Sequence, residues 1–254
     1  MRKRWRRDRF PSILITGGAS PLAQVLVSQL SDTNNLILFD DAPIAEAENV
    51  SVLRGSLLND DDVWRALRNV DAVVHIALPP VALLTNANDR EHHLLDLAGR
   101  GTYTLFDAAI DAGVKRFVIV STLELFTSSP DDAYITEEWQ PLPALDLTNV
   151  APYLSENVAR EFVRDYPITA TCLRVGSLSS AEDPADTSSL LAVDTRDAAQ
   201  AVVKALDRKA SDSASWTRRW SLYHITANYP NPRYLINKAK QQLGYEPVHK
   251  LDAV

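Results

Sequence analysis

The sequence predicts an α/β fold, a doubly wound and mostly parallel sheet with helices on both faces. Short apolar runs alternate with segments of helical periodicity along nearly the whole chain, which is typical of β–α–β units. The run at residues 71–77 is apolar enough to be buried on both faces, as in a parallel sheet. With 254 residues, 46% of them hydrophobic, the chain is large enough to bury such a core.

The first strand, turn and helix suggest a phosphate-binding site. Residues 13–15 form an apolar strand that stops at Gly17, and helical periodicity begins at Pro21. A glycine turn between strand and helix leaves backbone N–H groups and the positive end of the helix facing one point, which suits a pyrophosphate. The glycine spacing is incomplete, because Ser20 and Ala23 stand where a G-x-x-G-x-x-G turn has glycines.

The remaining elements follow in alternation. Further strands are predicted at residues 35–39, 50–54, 71–77, 117–121 and 169–174, with a strand-like run at 221–226. Further helices are predicted at residues 60–67, 91–112, 152–166, 197–206 and 232–243. We expect Pro152 in the first turn of its helix, and Gly113 and Gly244 just after the ends of theirs. In such sheets ligands bind beyond the carboxyl ends of the strands, near the point where the strand order reverses.

One folded domain is predicted from residue 12 to 254, with a small C-terminal lobe at about residues 175–190 and 220–254. Residues 1–11 are expected to be a flexible basic arm, because the first ten residues carry a net charge of +5. The formal net charge of the whole chain is −7, so the rest is acidic. An acidic body argues against nucleic acid as a partner.

The sequence also limits the compartment and the metal chemistry. No run approaches the roughly 20 apolar residues of a membrane helix, so no membrane contact is expected. The single cysteine, Cys172, excludes an internal disulfide and fits a reducing compartment, so we expect a cytoplasmic protein. No spacing typical of metal ligands occurs, and no metal site is predicted.

Several motifs occur in a characteristic order. They are T-G-G-A-S-P-L-A from Thr16, D-A-V-V-H-I-A from Asp71, G-T-Y-T-L-F-D-A-A from Gly101, L-R-V-G from Leu173 and L-G-Y-E-P from Leu243. This ordered set resembles the extended short-chain dehydrogenase/reductase family, the epimerase/dehydratase type with a Rossmann fold. The short connection after Gly176 is similar to that of uronate dehydrogenases.

The resemblance implies NAD as cofactor. Asp40 ends the second strand, where a carboxylate accepts hydrogen bonds from the adenosine ribose and repels a 2′-phosphate. No Lys or Arg follows it nearby in the sequence, which favours NAD over NADP; the alternative is a solvated loop aspartate. The residues implied to contact the cofactor are Gly17, Ser20, Pro21, Leu22, Asp40, Ser56, Leu57, Ala77, Leu78, Tyr153 and Asn157.

The resemblance also implies a catalytic pair. Tyr153 and Asn157 fall where the family has Y-x-x-x-K, and Thr122 falls where a Ser or Thr bonds the reacting oxygen. Tyr153 would then take a hydroxyl proton, but its usual pKa is about 10 and Asn157 supplies no charge to lower it. The alternatives are that Tyr153 packs on the sheet and that Thr122 caps the following loop.

The end of the fifth strand, S-T-L-E-L-F, resembles the dehydratase motif S-T-D-E-x-Y. Leu123 replaces the proton-donating Asp, which disfavours sugar dehydration, while Glu124 would serve an epimerase or lyase or else face solvent. Thr122, Leu123 and Arg174 are expected to line the substrate site. Arg174 would bind a substrate carboxylate; its alternative is a structural salt bridge.

The leading hypothesis is an NAD-dependent oxidoreductase with a small hydroxylated, sugar-like substrate, because the short connection after Gly176 leaves little material to enclose a nucleotide-sugar. The replacement of a glycine by Ser20 and of the family's lysine by Asn157 motivates an alternative, a catalytically impaired dinucleotide-binding or scaffold protein. Ser56 and Ala98 also depart from the family, which usually has an aspartate and an asparagine at these positions. The resemblance further implies a homodimer through helices 91–112 and 152–166.

Overall fold

A computed structural model of the chain describes residues 10–79, 87–130, 132–180, 185, 190–208, 213–249 and 251. The predicted basic arm lies almost entirely outside the described residues. The strands are β1 Ser12–Thr16, β2 Asn35–Asp40, β3 Val50–Arg54, β4 Ala72–Ile76, β5 Arg116–Thr122, β6 Thr169–Val175, β7 Leu178–Ser179, β8 Val193–Asp194 and β9 Trp220–Ile225. The helices are α1 Pro21–Leu30, α2 Asp60–Ala66, α3 Ala87–Asp96, α4 Thr102–Asp111, α5 Leu147–Asp165, α6 Thr195–Asp207 and α7 Trp216–Arg219.

The main sheet has seven parallel strands in the order β3-β2-β1-β4-β5-β6-β9. The order reverses between β1 and β4, so the carboxyl ends of these strands border a natural ligand crevice. Strands β7 and β8 form a separate parallel pair. The predicted fold class is confirmed.

Each face of the sheet carries its own apolar core. Ile13 and Ile15 of β1 pack in one buried cluster with residues of α1 and α6. Leu14, which points to the other face, packs in a second cluster with residues of α2, α4 and α5. The alternation follows from the two-residue period of a strand. Helices therefore cover both faces and leave the strand ends to form the site.

The start of α5 differs from the prediction. The helix begins at Leu147 because the side chain of Asp146 accepts a hydrogen bond from the Thr148 amide at 2.9 Å. Pro152 therefore lies inside the helix rather than in its first turn. A proline there removes one backbone hydrogen bond, and the capped first turn precedes it.

Three other segments also differ. Residues 91–112 are helical, but a π-turn at Leu97–Gly101 separates α3 from α4. The predicted helix at 232–243 is wrong over its first part, because Ile135 donates to the Arg233 carbonyl at 2.8 Å and accepts from the Leu235 amide at 3.0 Å. Only the end is helical, with a π-turn at Ala239–Leu243 before Gly244. The stretch 220–225, assigned by sequence to a C-terminal lobe, is a strand of the main sheet.

Candidate functional site

A cleft lies at the carboxyl ends of β1, β2 and β4, at the reversal of strand order. Among the predicted cofactor contacts, those that line it are Gly17, Asp40, Ser56, Leu57, Ala77 and Leu78. Within the described part of the chain, the structure does not place the other five on the cleft wall: Ser20, Pro21, Leu22, Tyr153 and Asn157. The structure thus brings six of the predicted cofactor contacts to one cleft and leaves the start of α1, and Tyr153 and Asn157 of α5, outside its described lining.

Gly17 makes the turn after β1 possible. Its φ is +72°, a conformation that favours glycine, and its carbonyl accepts a hydrogen bond from the Ser20 amide at 3.0 Å. A β-carbon on Gly17 would lie 3.0 Å from Cβ and 3.1 Å from the carbonyl oxygen of Ile76. The turn therefore needs glycine for its backbone conformation and for its close approach to β4.

Ser20 caps α1. Its Oγ accepts a hydrogen bond from the Ala23 amide at 3.3 Å, which satisfies one of the open N–H groups of the first turn. The side chain of Leu22 is fully buried in the core, so only its backbone faces the turn. The replacement of glycine by serine has therefore added a helix cap, while the Ser20 hydroxyl hydrogen stays available to an acceptor.

Asp40 ties the glycine turn to the end of β2. One carboxylate oxygen accepts from the Ala19 amide and the other from the Ala42 amide, both at 3.0 Å. Burial raises the pKa of Asp40 above its ordinary value, the two backbone hydrogen bonds oppose that rise, and neighbouring Asp41 adds to it. Asp40 is thus a half-buried, structured acceptor and not a solvated loop residue.

Arg54 lies beside Asp40, which the sequence did not predict. Arg54 pairs with Asp40 in the register of β3 and β2, and its Nε donates to the carbonyl of Asp41 at 3.0 Å. No Lys or Arg follows Asp40 closely in the sequence, but the folded structure brings Arg54 close to the end of β2. The arginine comes from the neighbouring strand, which sequence distance conceals.

A buried chain of hydrogen bonds runs beneath the cleft. His75 lies between two hydroxyls, with Nδ1 at 2.7 Å from Thr16 Oγ1 and Nε2 at 3.0 Å from Thr102 Oγ1. Thr102 donates to Ser155 Oγ at 3.1 Å, and Ser155 donates to the Ala98 carbonyl at 3.2 Å.

The direction of this chain assigns the histidine tautomer. Because Thr102 gives its only hydroxyl hydrogen to Ser155, it must accept from Nε2–H of His75. Nδ1 then accepts from the Thr16 hydroxyl. A neutral ring fits this arrangement, and complete burial lowers the pKa of His75 to about 4.

The chain also holds α5 against the π-turn that lines the cleft. π-turns occur frequently at functional sites, and here Ala98 of the turn stands where the family has an asparagine. Gly101, at the end of the turn, lies so close to Leu57 that a β-carbon would meet Leu57 Cβ at 3.0 Å. These contacts shape the wall of the cleft between β3 and α5.

Thr122 ends β5, and Tyr153 packs beside the turn that follows it. Thr122 is buried, and its Oγ1 accepts from the Glu124 amide at 3.1 Å, so it caps the short 3₁₀ turn Leu123–Phe126. Tyr153 is half-buried and packs against the apolar cluster that this turn forms. Both structural alternatives raised from the sequence are therefore present, and both side chains still lie at the same strand end.

Asn157 is engaged within its own helix. Its Nδ2 donates to the Tyr153 carbonyl at 2.7 Å, and its Oδ1 accepts from Arg160 Nη2 at 3.0 Å. The amide therefore bridges successive turns of α5 rather than projecting toward the cleft at β1. Asn157 stands where the family has a lysine. The cation that contacts Asn157 is Arg160, which is exposed.

Arg174 forms the structural salt bridge. Its Nε and Nη2 donate to the two carboxylate oxygens of Glu156, at 3.1 and 2.5 Å, and Ser121 donates to the same carboxylate at 3.2 Å. The exposed fractions of the Arg174 and Glu156 side chains are only 4% and 6%. The structure therefore contains the salt bridge, one of the two alternatives that the sequence left open for Arg174. Sequence reasoning missed Glu156, whose only signal was a carboxylate on the buried face of α5.

A second, polar cleft contains Tyr153, Glu156 and Arg174. It is lined further by residues 137–141 and by the start of β9. The predicted substrate contacts Thr122 and Leu123 lie outside its described lining, and Leu123 is fully buried in an apolar cluster. Glu124, a half-buried residue, also lies outside that lining and accepts a hydrogen bond from Ser177 Oγ at 3.1 Å. Helix α5 contributes to both clefts, because Ala151 and Ser155 line the first and Tyr153 the second.

Comparison with known proteins decides the family. A family model described as NAD(P)H-binding matches residues 17–209, well over half of the chain. The chain belongs to this NAD(P)H-binding family. The resemblance to extended short-chain dehydrogenases/reductases and the nicotinamide dinucleotide cofactor are thereby confirmed.

Individual relatives of this NAD(P)H-binding protein are distant. Protein y4nG of Sinorhizobium fredii is 30% identical over 135 residues, a match that covers 52% of this chain and 33% of that protein. An NAD-dependent glucose-6-phosphate dehydrogenase of Haloferax volcanii is 24% identical over 196 residues, covering 68% of this chain and 70% of the enzyme. The crystal structure of uronate dehydrogenase from Agrobacterium tumefaciens superposes with a TM-score of 0.75 at 19% identity, covering 96% of this chain and 86% of that one. That likeness shows the fold.

The structure also bears on membrane contact and on metal binding. Over the described ranges, no helix combines the length and the apolar character needed to cross a bilayer. Among the same residues, no group of three or more His, Cys, Asp or Glu side chains is placed to hold a metal ion.

Proposed function

We propose that the protein is an NAD-dependent oxidoreductase that acts on a small hydroxylated, sugar-like substrate. The observation that carries the proposal is the shared use of α5: the helix lines the dinucleotide cleft through Ser155 and the polar cleft through Tyr153. A cofactor in the first cleft and a substrate in the second would then meet at the end of β5, where Thr122 lies.

The residues of the first cleft fit a dinucleotide. The turn at Gly17 would bind the pyrophosphate together with the Leu22 amide and the Ser20 hydroxyl, which lie outside the described lining of the cleft; Pro21 has no N–H, and the Ala23 amide is taken by Ser20. Asp40 keeps unused acceptor capacity on both oxygens and would bind the ribose hydroxyls of the adenosine. We propose NAD rather than NADP because the Asp40 carboxylate repels a 2′-phosphate, and Arg54, the cation on the neighbouring strand, already donates its Nε to the Asp41 carbonyl.

Tyr153 of the second cleft and Thr122 at the end of β5, outside the described lining of that cleft, would supply the groups for alcohol oxidation. Thr122 accepts from the Glu124 amide, so its hydroxyl hydrogen is left to donate to a substrate oxygen. Tyr153 would take the proton of the substrate hydroxyl as a general base. Bound NAD supplies the hydride acceptor.

A second candidate is a dinucleotide-binding protein without catalysis. The observation that favours it is that Asn157, at the position of the family's lysine, bonds the Tyr153 carbonyl and Arg160 within α5 and brings no charge of its own to the tyrosine. The two candidates share the first cleft and differ only at the second.

We also propose a cytoplasmic homodimer that pairs through helices 91–112 and 152–166. Exposed apolar side chains on these helices support the pairing: Leu95 is 37% exposed and Tyr103 is 55% exposed. Light scattering that reports a monomer at micromolar concentration would contradict it.

The test of the oxidoreductase proposal is a turnover assay with a matched variant. We expect the wild-type protein to form NADH with at least one member of a panel of aldoses, polyols and sugar acids. Tyr153→Phe should abolish turnover and leave NADH affinity unchanged, whereas Tyr166→Phe, at the other end of α5, should change neither. NADH binding without turnover on the whole panel would support the non-catalytic alternative.

A further inference from the structure

We propose that Glu156 determines the substrate class of the polar cleft, because its bidentate ion pair with Arg174 makes the site select an uncharged polyol over a sugar acid. This inference rests on the proposed function, since it takes the polar cleft as the substrate site. It deepens that function by assigning a specificity role to a residue that lies between Tyr153 and Asn157 on α5.

The contacts show that Arg174 is committed to Glu156. Two of its three nitrogens bond the two carboxylate oxygens, and its guanidinium carbon lies 5.3 Å from the centre of the Phe126 ring. Its third nitrogen, Nη1, is buried and has no hydrogen-bond partner among the described residues. A buried donor without an acceptor is unfavourable, and a hydroxyl or carbonyl oxygen of a ligand would satisfy it.

The ion pair leaves no positive charge for a carboxylate. Arg174 and Glu156 together carry no net charge, and an incoming carboxylate would face Glu156 as well as Arg174. A charged group that leaves water without a compensating partner incurs a large desolvation cost. His224, which pairs with Arg174 in the register of β6 and β9, adds no cation, because burial and the charges of Arg174 and Lys238 hold its pKa well below the ordinary value.

The other charges along the cleft balance. Glu137 and Glu138 oppose Arg160 and Lys238. Arg160 bonds Asn157 Oδ1, and the ammonium of Lys238 lies 5.4 Å from the centre of the Tyr223 ring. The lining therefore has no surplus positive charge, while its hydroxyl, amide and carboxylate groups suit hydrogen bonding to a neutral polyol.

The test compares two ligands that differ only in one group. D-glucose and D-glucuronate are titrated by calorimetry in the presence of NADH, which prevents oxidation. We expect the wild-type protein to bind glucose more tightly. In Glu156→Gln the freed Arg174 should raise the affinity for glucuronate relative to glucose by about tenfold or more. A purely structural pair would weaken both ligands alike.

Two controls separate charge from folding. Asp165→Asn removes an exposed carboxylate from the same helix, one paired with Arg164 outside the cleft, and should leave the ratio unchanged. Glu156→Gln combined with Arg174→Gln removes the freed cation, so the gain for glucuronate should disappear. Thermal unfolding of each variant checks that it is folded. If a variant does not fold, the relative affinity of the wild-type protein for glucose and glucuronate still tests the inference.

The outcomes distinguish this inference from the proposed function. A wild-type preference for glucuronate, or an unchanged ratio in folded Glu156→Gln, overturns the role of Glu156 and leaves the oxidoreductase proposal standing. Binding of neither sugar to the wild-type protein overturns the proposed sugar-like substrate and this inference with it.

Discussion

Replacing Gly17 by alanine should damage both the turn after β1 and the cofactor site. A left-handed backbone conformation costs a non-glycine residue about 1–2 kcal/mol. At Gly17 the added β-carbon would also press on Ile76 at 3.0 and 3.1 Å, and crowding of this kind costs about 1–3 kcal/mol. Gly17→Ala should therefore lower the free energy of unfolding by about 2–5 kcal/mol.

The chain offers a matched control at Gly244. Its φ is +71°, against +72° at Gly17, but a β-carbon there would meet nothing within 4 Å. Gly244→Ala should therefore lower the free energy of unfolding only by the cost of the left-handed backbone conformation, about 1–2 kcal/mol. Urea unfolding measures both losses, and calorimetry with NADH should show affinity reduced about tenfold or more in Gly17→Ala alone. Equal losses of stability, or unchanged NADH affinity in Gly17→Ala, would refute the account of this turn.

Three further predictions concern buried and helical residues. Burial lowers the pKa of His75 from 6.5 to about 4, so between these pH values the unfolded chain binds more protons than the folded one, and the free energy of unfolding should fall by about 2 kcal/mol between pH 7 and 5. Urea unfolding should show a smaller fall in His75→Gln. An equal dependence on pH in both proteins would argue against a neutral buried ring. Asp146→Ala should lower the free energy of unfolding by about 1 kcal/mol through loss of the cap on α5, and an unchanged urea midpoint would place the helix start elsewhere. Asn157→Lys should raise turnover or move the pH–rate profile toward acid, and an unchanged profile would count against Tyr153 as the base.

The fold was predictable because its signals are local. The bounds of β1, the glycine turn and the start of α1 follow from neighbouring residues. The predicted helix bounds were wrong where a local sequence signal was overridden by another contact in the folded chain. Pro152 suggested a helix start, but Asp146 had already supplied one, and the helical pattern after Pro232 yielded to pairing with Ile135.

The site was less predictable because its decisive contacts join distant segments. Arg174 and Glu156 are 18 residues apart, and His75 bonds Thr16 across 59 residues. The sequence allowed Arg174 to be either an anion clamp or a salt-bridge partner, and only the placement of Glu156 on the buried face of α5 decided between them. Arg54 likewise came near Asp40 through strand pairing, which no spacing along the chain reveals.

The central claim is that the cleft at the ends of β1, β2 and β4 binds a nicotinamide dinucleotide. Calorimetric titration of the wild-type protein and of Asp40→Asn with NADH tests it most directly, with Asp32→Asn as an exposed control. The account predicts binding in the micromolar range, weakened about tenfold or more in Asp40→Asn and unchanged in Asp32→Asn. Absence of binding up to about 1 mM, or equal affinity in Asp40→Asn, would contradict it.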